Sequence, residues 1–166
     1  MLLSATMLSA LSAQYAQEVS NALFYARLQS WAEMRGLDGA AAHFERQADD
    51  EMGHAKKVLG YIHDRNEELQ PLPVTVSPDA PADFVSAFRL AQERERATSD
   101  AIALLLAQAE GDPMTCAWLT QPGGLVLEQV EEERLAQTIL DRITARGEEN
   151  TGNATHDIDC WLKGLQ

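Results

Sequence analysis

Apolar residues recur at helical spacing in four long stretches, and turn residues interrupt them where a helix has to stop. The first stretch runs from about Leu8 to Arg35 and meets Gly36, whose missing Cβ suits a left-handed C-terminal cap. Asp38 is placed to cap the second, from about Gly39 to Asn66, by accepting bonds from its first free N–H groups. So short a connection predicts an antiparallel pair. Asp83 opens a third helix that reaches Glu110 and Gly111. Asp112-Pro113 then supplies the N-cap and N1 proline of a fourth, which runs to about Arg146. Pro122-Gly123-Gly124 lies inside this last stretch and predicts a kink. Beyond Gly147 and the polar run Glu148 to Asn153, His156 to Leu165 reads as a short fifth helix.

The two pairs are joined by Glu67 to Ala82, which carries Pro71, Pro73, Pro78 and Pro81 among Leu69, Leu72, Val74 and Val76. This predicts an extended crossover, too apolar for a purely flexible linker. Two α-hairpins with one long crossover define an all-α four-helix bundle, expected as a single domain over residues 1–166. A chain of 166 residues buries enough surface to fold without staples.

Charge narrows the partners. Thirteen Lys and Arg against 26 Asp and Glu leave a net charge of −13, with no basic block to follow a phosphate backbone, so nucleic acid is not expected. No apolar run reaches the ~18 residues a membrane span needs. The apolar start, Met1 to Ala13, lacks the basic segment of a secretory signal, and its periodicity continues into the first helix. Cys116 and Cys160 are far apart, form no metal-binding spacing, and are expected to be buried small side chains in a reducing cytoplasm.

The candidate chemistry lies where the core should be. Glu18 interrupts the seam Leu11, Tyr15, Ala22, Tyr25; Glu51 interrupts Phe44, Ala48, Ala55, Val58. Glu95 stands between Ala91 and Thr98, and Glu132 between Gln129 and Ala136. Four carboxylates at mid-bundle height would repel one another and lose their hydration, so a compensating cation is required. Four negative charges balance two divalent metals. Glu51 and His54, at i and i+3 on one helix face, can reach a common interior point, and mixed carboxylate and imidazole ligation suits iron better than zinc or magnesium.

Glu128-Gln129-Val130-Glu131-Glu132-Glu133, together with Glu18, Tyr25, Gly36-Leu37-Asp38-Gly39-Ala40-Ala41, Asp50-Glu51-Met52-Gly53-His54-Ala55 and Glu93-Arg94-Glu95, resembles the bacterial non-haem ferritins across nearly the whole chain. The resemblance implies an iron-storage protein with an intrasubunit ferroxidase centre. Glu18, Glu51 and His54 would hold one iron; Glu51, bridging, with Glu95 and Glu132 would hold the other. Gln129 would be a polar neighbour of the centre and Tyr25 a hydrogen-bonding or electron-donating one. Asp50, Glu128 and Glu131 match a third iron position, with Asp50 shorter than the usual glutamate. Fe(II) and O2 would be the substrates and an oxyhydroxide mineral the product, held in a hollow homo-oligomeric 24-subunit cage whose acidity concentrates cations. Within that cage Leu69 to Val76 would pair with a symmetry mate, and the fifth helix would line a four-fold axis. Two positions that carry channel carboxylates in animal ferritins hold Leu119 and Pro122 here.

Neighbouring families fit less well. Met52 matches the haem-ligating position of bacterioferritins, but no second Glu-x-x-His exists, so no haem is expected. His43 and His63 read as surface residues of the second helix. A rubrerythrin-like protein would carry CxxC, and a DNA-protecting mini-ferritin often has a basic tail; both are missing. A cage subunit whose carboxylates only nucleate mineral is the non-catalytic alternative.

Overall fold

The computed structural model describes residues 2–147 and 152–165. Its first helix, α1 (Ala5–Glu33), starts three residues ahead of the expected position because Ser4 caps it, accepting a bond from the Met7 amide at 3.1 Å. Gly36 adopts φ +68° as the chain turns into α2 (Asp38–Asp64). Asp38 is thus the first helical residue; the N-cap position falls on Leu37, which makes no side-chain cap bond. Helix α3 (Phe84–Gln108) begins as predicted: Asp83 Oδ1 accepts from Ser86 N at 2.7 Å, and the Ser86 hydroxyl accepts from Asp83 N at 2.9 Å.

Asp112 caps α4 (Pro113–Thr120) by accepting from the amides of Met114 and Thr115, both at 3.2 Å. The expected kink at Pro122 is a full break, which corrects the single fourth helix. Gln121 is extended, Gly123 takes φ +75°, and Gly124 N donates to Gln121 O at 2.8 Å before α5 (Leu125–Ala145) resumes. A proline without an amide donor followed by a left-handed glycine cannot continue a helix. The terminal helix α6 (Gly152–Leu162) starts four residues earlier than expected; residues 148–151 of the polar run lie outside the described residues.

The crossover 67–82 has no regular secondary structure and runs alongside α1, tied to it in sequence order. Gln70 N donates to Ser12 Oγ at 3.2 Å, the Ser20 hydroxyl to Thr75 O, and Arg27 to the carbonyls of Ser77 and Pro78. Leu72 and Val74 are exposed. Two apolar clusters fill the bundle. Met7, Leu11, Val58, Ile62, Ile102 and Leu105 form one end. Phe24, Leu28, Phe44, Phe88, Ile139 and Ile143 form the other, which Ile158 and Leu162 of α6 extend. The buried carboxylates lie between them.

His43 corrects the surface expectation. It is buried against Phe44 and Phe88, with ring centroids 5.4 and 5.8 Å away, and burial lowers its pKa to about 4. His63 is exposed as expected. Cys160 is also a correction: it is exposed on α6, 3.6 Å from His156 Nε2, because the buried face of that helix carries Ile158, Asp159 and Leu162 instead.

Candidate metal centre

Glu18 from α1, Glu51 from α2 and Glu95 from α3 are all buried at mid-bundle, each on the inward seam of its helix. Glu132 from α5 is partly buried beside them. His54, one turn after Glu51, turns its ring inward, with Nδ1 3.5 Å from Glu51 Oε2. Glu18, Glu51 and His54 each bring one ligand atom within 4.8 Å of the others, so three of the predicted residues converge on a space that a cation can share.

Polar neighbours hold these carboxylates. Gln14 Nε2 donates to Glu18 Oε1 at 2.7 Å, the Tyr25 hydroxyl donates to Glu95 Oε1, and Gln129 Nε2 donates to Glu95 Oε2 at 2.8 Å. Gln47 Nε2 donates to Glu132 Oε2 at 2.8 Å. Asn21 Nδ2, nearby on α1, donates to Thr98 Oγ1 at 3.0 Å. Gln14 and Gln47 were missed in the sequence. Each sits one helical turn ahead of a predicted glutamate, Gln14 before Glu18 and Gln47 before Glu51, and that i, i+4 spacing was the available signal.

Glu18 Oε2 and Glu51 Oε2 remain buried with no hydrogen-bond partner. A buried carboxylate oxygen without a donor is costly, and a hard cation at this point would satisfy both. Without one, the cluster responds by holding protons. Burial first, and then the charge of Glu51, lifts the Glu18 carboxyl well above its ordinary range. Burial likewise lifts Glu51, to about 8, with the charges of Glu95 and Glu132 adding to the rise against the lowering influence of Glu18 and Asn21 beside it. Glu95 and Glu132 are raised too, again chiefly by burial, and the Tyr25 phenol is raised by burial and then by Glu95. Four acids pushed in one direction by desolvation and by each other form a site whose protons a cation could replace.

The remaining predicted residues lie outside this pocket. Asp50, Glu128 and Glu131 border an open depression of about 320 Å³ together with Lys57, His54 and Glu132. Both oxygens of Glu128 accept from Lys57 Nζ, at 2.5 and 2.6 Å. Among the described residues no helix is long and apolar enough to cross a membrane.

The ferritin-like domain model matches residues 8–148. The chain is 31% identical over 149 residues to the bacterial non-heme ferritin of Bacteroides fragilis, covering 89% of this chain and 92% of that protein. It is 28% identical over 166 residues to that of Campylobacter jejuni, covering 99% and 96%. Among solved structures, an open pore ferritin from Archaeoglobus fulgidus superposes with a TM-score of 0.86 at 25% identity, covering 99% of both chains.

Proposed function

The chain belongs to the ferritin family, and from that premise we propose that it stores iron after oxidising Fe(II) with O2 at the buried carboxylate cluster. The observation that carries this reading is the convergence of Glu18, Glu51 and His54 on one point, with an unpartnered oxygen on each glutamate. Iron enters here as substrate. In this reading Glu18, Glu51 and His54 bind one Fe(II), and Glu51, Glu95 and Glu132 bind the second, so that Glu51 serves both.

Each ion supplies one electron, and a pair held together delivers two to dioxygen without releasing superoxide. Anionic oxygen ligands favour the ferric state that results. Binding displaces the protons that burial retains on the glutamates, so uptake of Fe(II) releases acid. Tyr25 and Gln129 position Glu95 through its two oxygens, while Gln14 and Gln47 do the same for Glu18 and Glu132. His54 and Glu132 are the ligands that border the open depression, and in this reading hydrolysed Fe(III) leaves on that side. The mineral would accumulate inside a closed homo-oligomer, proposed as a 24-subunit cage, in which a charge of −13 per chain concentrates cations. The two unpaired cysteines suit a reducing cytoplasm.

Anaerobic calorimetric titration of metal-free protein with Fe(II) tests the binding half of this reading. Glu51→Ala is expected to lose both tight equivalents and His54→Ala one. Unchanged stoichiometry in Glu51→Ala would overturn it.

A further inference from the structure

Glu51, His54 and Lys57 follow one another at three-residue spacing along α2, so they form a stripe from the buried cluster to the open depression. Glu128 of α5 faces the outer end of that stripe. One of its oxygens, Oε2, lies 3.3 Å from His54 Nε2, and both accept from Lys57 Nζ. His54 in turn points Nδ1 at the unpartnered Oε2 of Glu51. Glu128 is therefore the joint between the depression and the centre, and the chain's own ammonium engages both of its oxygens.

We propose that Lys57 is a specificity-determining residue, a built-in counter-cation that holds Glu128 so that the depression passes cations to and from His54 without keeping one. This rests on the iron-oxidation reading above. Asp49, Asp50 and Glu131 border the same depression, but Glu128, the carboxylate that would complete a third cation position with them, is held by Lys57. The Lys57 side chain is 44% exposed, so its pairing is weak and reversible, and the ammonium can swing aside as an ion moves past. A fixed third ion at Glu128 would instead stand across the exit from His54.

The test uses Zn²⁺, which does not change oxidation state, titrated calorimetrically into the metal-free full-length assembly. Lys57→Gln is expected to bind one more tight Zn²⁺ equivalent per chain than the unsubstituted protein. Lys57→Arg, which keeps the charge, is expected to behave as the unsubstituted protein, and adding Glu128→Gln to Lys57→Gln to remove the gain. Equal stoichiometry in Lys57→Gln and the unsubstituted protein overturns the proposal, as does a gain that survives loss of Glu128. Glu51→Ala in parallel separates the two readings: its failure to lower zinc binding counts against the buried centre, while the Lys57 comparison is read at Glu128.

Discussion

Tyr25 on α1 and Glu95 on α3 are joined by a hydrogen bond from the phenol to one carboxylate oxygen, while Gln129 occupies the other oxygen from α5. Three helices thus meet at one buried acid. Tyr25→Phe keeps the ring contacts to Phe24 and Phe44 and removes only the donor. It should lower the unfolding free energy of metal-free protein by about 1–3 kcal/mol, the cost of leaving a buried acceptor without its donor. Urea denaturation measures this. A midpoint equal to that of the unsubstituted protein would show that Glu95 does not depend on the phenol.

The pH dependence of stability follows from the direction of the shifts. Glu18, Glu51, Glu95 and Glu132 have folded pKa values raised above the ordinary 4.5, so the folded state holds protons that the unfolded chain releases. Their contribution is present below that value and is lost as pH rises through the raised ones. His43 acts in the opposite sense: its pKa falls from 6.5 to about 4, so it destabilises the fold as pH drops across that interval. Above about pH 6.5 only the carboxylate slope remains of these two. Metal-free protein should therefore lose urea resistance between about pH 6.5 and 8.5, and saturating Zn²⁺ should flatten or reverse the trend. A rise in stability over that window without metal would contradict the assignment.

Gly39 fixes α6. A Cβ there would stand 1.8 Å from the Asp159 carbonyl oxygen, and the next residue, Ala40, donates its amide to Asp159 Oδ1 at 2.8 Å. Asp159 thereby caps the start of α2 from a distant helix, where Asp38 was expected to do so. Gly39→Ala should displace α6, cost about 1–3 kcal/mol, and speed tryptic cleavage at Arg146 and Lys163. Cleavage at the original rate would mean that the contact does not hold α6.

The bundle was legible because its punctuation has single physical meanings: Gly36 at a positive φ, Asp83 in a reciprocal cap and Asp112-Pro113 at a helix start. The four glutamates stood out because an acid on an apolar seam needs a partner. His43 was misread for lack of a neighbour to compare it with, although it shares a stripe with Gln47 and Glu51 at four-residue steps. The cap from Asp159 and the pairing of Lys57 with Glu128 span 119 and 71 residues, and no local pattern encodes such contacts. The chain broke at Pro122 where a kink was expected because Gly123 could take up the reversal that proline alone would not force.

Oxidation of Fe(II) by O2 at the buried carboxylates is what the proposed function requires. Its most direct test mixes Fe(II) with aerobic metal-free protein in a stopped-flow instrument and follows ferric absorbance beside Glu51→Ala. A fast phase is expected that ends near two irons per chain and vanishes in the variant, leaving only the slow rise of iron in buffer. An equal and slow rise in both proteins would contradict it and leave a shell that takes up iron oxidised elsewhere.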